Sequence, residues 1–334
     1  MTVLLPSSVS LTVSPADPVI DVVVRRKTVE AEGINSYELV SKNGSKLPGF
    51  SAGAHIRVFL ENGLTRQYSL CHPSSDPASY IIAVNREAQS RGGSVHIHQH
   101  WRPDSAVRIS HPANHFPLVE GAPALLFAAG IGVTPILAMS EELSARGTAF
   151  DLHYAARLPD NAAFADYLTR SKYAGNVHLY FSRSPASRRM DARQLLARSS
   201  IDRHIYVCGP ERFIKAVLDE ATAQGWTSGK LHREFFTRTE SAAAPAGSFI
   251  LELAKSGKTL EVGSDQTVLA ALADAGVEVP SSCEVGVCGT CVTRVIDGIP
   301  DHQDSFLTDE EHARNDCFTP CCSRAKTPKL VVDL

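Results

Sequence analysis

Four cysteines near the C-terminal end carry the strongest chemical signal in this sequence: Cys283, Cys288, Cys291 and Cys321. The first three read C-x4-C-x2-C and the fourth lies far downstream. That is the plant-type spacing for a [2Fe-2S] cluster, in which four thiolates serve two irons. The intervening run, SSCEVGVCGTC, is built of small residues, and Gly286 and Gly289 let the backbone wrap tightly and aim N–H groups at sulfur. A zinc site or buried free thiols would be the alternatives. Zinc sites favour paired C-x2-C knuckles, and only one C-x2-C is present with these flanks. A one-electron carrier rarely works alone, so the rest of the chain should hold what feeds it.

Two further regions have the residue types for anion and ring binding. Arg66-Gln67-Tyr68-Ser69-Leu70 ends an alternating run, and downstream lies Ser90-Arg91-Gly92-Gly93-Ser94 ahead of VHIHQHW. Two glycines and a serine at a helix start make a nest of backbone N–H groups for a phosphate. Arg66 could add a charge-assisted bond and Tyr68 could stack on a flat ring. Each fragment alone is an ordinary strand end or turn, and their order and distance add weight. In FAAGIGVTPILAM a strand, a glycine-rich turn and a helix follow one another. Thr134 is the expected N-cap and Pro135 the first helical residue. Gly130 and Gly132 would admit a ligand close to the backbone, although this is G-x-G-x-x-P rather than G-x-G-x-x-G. VCGPERF puts Cys208, Gly209 and Pro210 at another strand's carboxyl edge, where open α/β sheets bind ligands. Cys208 could equally be a small buried residue.

The elements that must position these groups fall into three blocks. From about Val19 to Phe116, runs such as VIDVVVRRKTV, YELVS, HIRVFL, RQYSL and SYIIAVNRE are short, β-branched and broken by turn residues, which predicts an antiparallel barrel or sandwich. From about Leu118 to Phe236, strands ALLFAAG, DLHYAAR, NVHLYFS and HIYVCG alternate with helical patterns, the rhythm of a doubly wound parallel sheet. TRTESAAAPAG then reads as a linker. SFILELAKSGKTLEV predicts a hairpin turning at Ser256-Gly257, QTVLAALADAG a helix stopped by Gly276, and KLVVDL a final strand.

Composition narrows the function classes. The net charge of −3 offers no basic face for nucleic acid, and no apolar run approaches the ~20 residues of a membrane helix. MTVLLPSSVSLTVSPADP has no Lys or Arg before its apolar stretch, so it reads as a flexible arm rather than a secretion signal. The 8 cysteines without such a signal point to a reducing cytoplasm. The 13 histidines, several in HIHQH, read as surface or helix residues rather than ligands.

RQYSL, SRGGS, GIGVTP, VCGP, REFF and the cysteine loop occur in the order found in the ferredoxin–NADP reductase superfamily. The chain resembles in particular the phthalate dioxygenase reductase and vanillate demethylase reductase family of class IA oxygenase reductases, from about Val19 to Leu334. The resemblance implies an arm at 1–18, an FMN-binding β-barrel at 19–116, an NAD(P)-binding α/β domain at 117–236, a linker at 237–247 and an α+β (β-grasp) ferredoxin domain at 248–334. It implies that Arg66, Tyr68 and Ser69 contact the isoalloxazine and ribityl chain, while Arg91, Gly92, Gly93 and Ser94 hold the single phosphate. Gly130, Gly132 and Thr134 would lie under the nucleotide, and Cys208 and Gly209 would border the hydride path. Glu234 and Phe236 match a Glu-x-Phe pattern in which the aromatic covers the flavin, though Phe236 could equally be a core residue. Cys321-Cys322-Ser323-Arg324-Ala325 fits the family ending with Cys321 as the fourth ligand; Cys71 and Cys317 read as structural.

Family habit implies NADH as donor. Ser182 and Arg183, with Arg188 and Arg189 nearby, look instead like a grip for the 2′-phosphate of NADPH, and a solvated basic loop is the plain alternative. The implied protein is a monomer without a membrane segment. It would pass electrons from nicotinamide through FMN and the cluster to a terminal Rieske non-haem-iron oxygenase. A reductase for a haem protein or ferredoxin, or a non-enzymatic redox sensor, are the competing readings.

Overall fold

The computed structural model describes residues 19–72, 77–87, 92–184, 189–236 and 247–334. The expected arm at 1–18, Arg91, Arg188 and linker positions 237–246 lie outside the described residues. Three main sheets, one per block, and a two-stranded ribbon in the third block make up the architecture.

In the first block β1 (Val19–Ala31), β2 (Ile34–Ser41), β3 (Ala54–Phe59), β4 (Thr65–Ser69) and β5 (Tyr80–Asn85) precede helix α1 (Gly93–His100). After it come β6 (Ala106–Ser110) and the short β7 (Ala113–Asn114). The sheet order is β4-β3-β6-β1-β2-β5, with β7 beside β3. Leu70 at the end of β4 bridges Ile82 of β5, which closes the sheet into an antiparallel barrel. Alternation sends Val22, Val24, Tyr37, Leu39, Ile56, Val58 and Ile82 inward. Helix α1 plugs one end through Ile97, followed by Trp101, whose ring meets Tyr37 edge-on at 5.3 Å. Among these strands, β6 and the short β7 are the two that no sequence run singled out.

The second block alternates as its rhythm predicts: β8 (Ala124–Ala129), α2 (Val133–Ala145), β9 (Phe150–Ala156), α3 (Ala165–Arg170), β10 (Val177–Phe181), α4 (Ala192–Ala197), β11 (His204–Cys208), α5 (Glu211–Ala223) and β12 (Leu231–Glu234). The order is β10-β9-β8-β11-β12 and every pair is parallel. Successive residues of β8 face opposite ways. Leu126 and Ala128 pack beneath α2 with Ile136 and Met139, whereas Leu125 and Phe127 pack with Ile214 and Val217 of α5. Burial on both faces explains the continuous apolar run. The α2 core continues into the barrel through Ala31, Ile34, Cys71 and Phe116, so the first two blocks share an apolar seam.

The third block contains β13 (Phe249–Leu253), β14 (Thr259–Val262), α6 (Val268–Asp274), β15 (Thr293–Asp297), β16 (Pro300–Asp301), α7 (Asp309–Arg314), β17 (Cys317–Phe318), β18 (Arg324–Ala325) and β19 (Lys329–Val332). The expected hairpin is β13–β14, and the final strand β19 runs parallel to β13 in the order β14-β13-β19-β15-β17. Thr267 caps α6 by accepting from Ala270 N at 3.1 Å. Among the described residues no helix is long and apolar enough to cross a membrane.

Candidate functional site

The end of β4 and the start of α1 come together in space. Arg66 lies across Gly93, so that a methyl group there would stand 2.8 Å from its Nε. Gly92 is the N-cap, and no side chain caps the helix start. Arg66 Nη1 donates to Thr65 O at 2.8 Å, and Ser94 Oγ accepts from Glu87 N at 3.2 Å. A guanidinium beside a helix start without a side-chain cap is a donor set that fits a phosphate monoester. Tyr68 packs against the barrel core, half-buried, and Ser69 is buried.

The nucleotide motifs gather at the carboxyl edge of the second sheet, where strand order reverses between β8 and β11. That switch point is where such sheets take their ligands. Gly132 presses its Cα against the Cys208–Gly209 peptide, and a side chain on it would run into the Cys208 carbonyl. Thr134 is not the N-cap. A single turn of 3-10 helix, Gly130–Gly132, leads straight into α2, so Gly132 caps the helix and Thr134 already lies inside it. The Thr134 hydroxyl donates back to Ile131 O at 3.1 Å. Ser182 and Arg183 follow β10 and are exposed; their backbone N–H groups donate to Ala156 O and Arg157 O.

Cys208 sits beside Glu234 in the β11–β12 register. Ser69 Oγ donates to Glu234 Oε2 at 3.3 Å, which ties the barrel strand to the nucleotide sheet. Burial pushes the Glu234 carboxyl up to about 8, offset in part by the Ser69 bond. Burial, with the Glu234 charge beside it, holds the Cys208 thiol well above its ordinary value, so it stays protonated. Phe236 packs half-buried on the apolar seam, and Phe235 packs on the opposite core. The sequence had marked Glu234 as a motif match without a role; its bond to Ser69 joins residues 165 positions apart.

In the third block five thiols gather. Cys283 is hydrogen-bonded to Cys288, and Cys321 to both Cys291 and Cys322, with the Cys283 charge within reach. The Cys288 bond, joined by backbone N–H groups of Val285, Val287 and Cys288, holds Cys283 low, at about 6. Cys322 turns toward Thr319 and Ser323 and packs on Gly286. Two pairs of soft donors backed by amide N–H groups are a fit for two irons sharing four thiolates.

This loop rests on the barrel. Gln67 Nε2 donates to Thr290 Oγ1 at 3.1 Å, and the Cys288 thiol reaches the same oxygen at 3.2 Å. Arg57, opposite Gln67 across β3–β4, feels the Cys288 charge. Phe306 lies over Gly289 and meets His115 edge-on at 5.6 Å. Sequence reasoning assigned none of these contacts. The one available signal was Arg57, a charge inside the otherwise apolar run HIRVFL.

Residues 126–219 match the oxidoreductase NAD-binding domain family and residues 251–326 the 2Fe-2S iron-sulfur cluster binding domain family. A vanillate O-demethylase oxidoreductase from Pseudomonas sp. (strain HR199 / DSM 7063) is 48% identical over 316 residues, covering 94% of this chain and 100% of that protein. The solved phthalate dioxygenase reductase, described as a modular structure for electron transfer from pyridine nucleotides to [2Fe-2S], aligns with a TM-score of 0.73. It is 37% identical, over 95% of this chain and 98% of that one. An intact type IV self-sufficient cytochrome P450 monooxygenase aligns with a TM-score of 0.84 and 36% identity, over 97% of this chain and 42% of that one.

Proposed function

The chain belongs to the phthalate dioxygenase reductase and vanillate demethylase reductase family, and on that premise we propose that the acceptor it serves is a Rieske non-haem-iron oxygenase. It is an electron-transfer oxidoreductase, the reductase component of an oxygenase system, and its cofactors are NADH, FMN and a [2Fe-2S] cluster. FMN held there would supply the link between two-electron hydride chemistry and one-electron transfer to the cluster.

The residues of this chain bind, orient and shield. Arg66 with Gly92, Gly93 and Ser94 would grip the FMN phosphate, while Tyr68 and Ser69 would line the ring. Gly130, Gly132 and Thr134 would receive the nucleotide against Cys208 and Gly209, with Phe236 shielding the ring from water. Ser182 and Arg183 would face the adenosine ribose. Cys283 with Cys288, and Cys291 with Cys321, would each hold one iron. We divide the chain into a flavin domain at 19–116, a nucleotide domain at 117–236 and a ferredoxin domain at 248–334. We read it as a monomer, and as a protein of a reducing cytoplasm, where cysteines serve as ligands rather than as disulfides.

The observation that carries this reading is the likeness over nearly the whole chain to a vanillate O-demethylase oxidoreductase and to phthalate dioxygenase reductase, with the chain Gln67–Thr290–Cys288 setting the cysteine loop against the strand that bears Tyr68. A haem acceptor is the second reading, favoured by the likeness to a reductase fused to cytochrome P450. Full-length protein with NADH is to be offered a Rieske oxygenase and, separately, a haem monooxygenase. Reduction of the Rieske centre at a rate that sustains product formation is expected. Turnover with the haem protein alone would refute the assignment.

A further inference from the structure

Beside the cysteine loop, but separate from it, His302, Asp304 and His312 converge. Among the described residues they form a group whose potential ligand atoms all lie within 4.8 Å of one another. The Asp304 side chain is fully buried, and those of His302 and His312 are 8% and 26% exposed. His312 Nε2 lies 3.2 Å from Asp304 Oδ1, and His302 Nδ1 lies 3.8 Å from the same oxygen. The two imidazoles stack at 4.3 Å. Asp304 Oδ2 is engaged by the N–H groups of Phe306 and Leu307 and also lies 3.3 Å from His312 Nε2, while Oδ1 has Ser323 Oγ at 3.5 Å.

His302 makes the cluster hard to read as a simple hydrogen-bond network. Neither of its ring nitrogens has a partner that meets hydrogen-bond geometry, although both are buried. Buried polar groups in native proteins are otherwise almost always satisfied. A carboxylate–histidine pair accounts for His312 but leaves His302 unexplained.

We propose that His302, Asp304 and His312 bind a divalent first-row transition-metal ion, zinc by their donor set. Zinc holds imidazole nitrogen and carboxylate oxygen at about 2.0–2.1 Å, which sets tetrahedral ligands about 3.3–3.5 Å apart. The two nitrogen–oxygen separations bracket that range, and the exposed edge of His312 leaves room for a water as fourth ligand. Magnesium and calcium are poor matches because they take oxygen ligands. The site would have a structural consequence. Ser305 N donates to Gly286 O at 2.9 Å and Asp304 packs on the same glycine, while His312 belongs to α7. A metal here ties α7 to the wall of the loop that holds the cluster.

The test uses full-length protein loaded with FMN and cluster, dialysed against micromolar Zn²⁺ and assayed for zinc and iron. One zinc per two irons is expected, with the visible spectrum of the cluster unchanged and with no competition from Mg²⁺. Changes in the outer shell of a metal site cost about 10–100-fold in affinity, so losing a ligand should cost about 100-fold or more. His302→Ala and His312→Gln should each show that loss while NADH–ferricyanide activity persists. If His302→Ala fails to load its cluster, the more exposed His312→Gln decides. No retained zinc, equal retention by His312→Gln, or zinc gained only as iron is lost would each overturn the proposal.

Discussion

Gly130 and Gly132 lie in one turn and look interchangeable in the sequence, yet the structure predicts that adding a methyl group to each will fail in different ways. At Gly132 the obstruction is backbone: the new Cβ would fall against the Cys208 carbonyl and 2.7 Å from Gly209 N. Non-bonded contacts of this kind settle near 3.5 Å, and the Cys208 carbonyl oxygen is nearer than Gly209 N, so the two loops must part by roughly 1 Å. Overpacking of this kind costs about 1–3 kcal/mol, and a misplacement near 1 Å in a substrate-positioning loop can cost about 100-fold in rate. Gly132→Ala should therefore lower kcat/KM for NADH, measured with ferricyanide, by about 10- to 100-fold at unchanged FMN content. At Gly130 nothing lies within 4 Å of the new methyl group, but the backbone φ is +57°. Only strain of about 1–2 kcal/mol is added. That should lower Tm by a few degrees, at about 2–4 °C per kcal/mol for a domain of this size. NADH kinetics should stay within about threefold, and Gly130→Asn should recover part of the loss because Asn tolerates this conformation. Wild-type kinetics and Tm in Gly132→Ala would refute the reasoning, as would an equal kinetic defect in Gly130→Ala.

Three further outcomes are expected. Cys321→Ser should lose the cluster and its visible absorbance, whereas Cys322→Ser, whose thiol points to Thr319 and Ser323, should keep two irons by metal analysis. Arg183→Ala should leave NADH turnover unchanged and lower kcat/KM for NADPH by about tenfold, the lower end of the ~1.5–3 kcal/mol of a charged hydrogen bond, because the residue is exposed; loss of NADH activity would refute this. Glu234 has its pKa raised from 4.5 to about 8, so the folded state holds the extra proton. Its contribution to stability is complete below about pH 4.5 and disappears as pH rises through about 8. The Tm difference between wild type and Glu234→Gln should shift against wild type across that window, and parallel Tm curves from about pH 5 to about pH 9 would contradict it.

The sequence by itself determined what depends on near neighbours. The cysteine spacing, the β13–β14 hairpin, the α6 helix ahead of Gly276 and the β–α alternation of the second block are local patterns, set by side-chain period and turn chemistry over a few residues. The helix cap after β8 was misplaced onto Thr134 because a 3-10 turn competes locally with a capped start, and the Gly132 contact with Cys208 settles the choice. Only the tertiary structure decided which thiols pair, which way Cys322 turns, and that Ser69 meets Glu234. Gln67 and Thr290 stand 223 residues apart, and no periodicity carries information across that distance. The histidines, read as surface or helix residues, show the same limit. His302 and His312 sit on opposite sides of a bend, and only the burial of Asp304 against the cysteine loop brings their nitrogens to one point. Convergence of that kind is a property of packing, because the chain must first bury its apolar faces before distant polar atoms acquire neighbours.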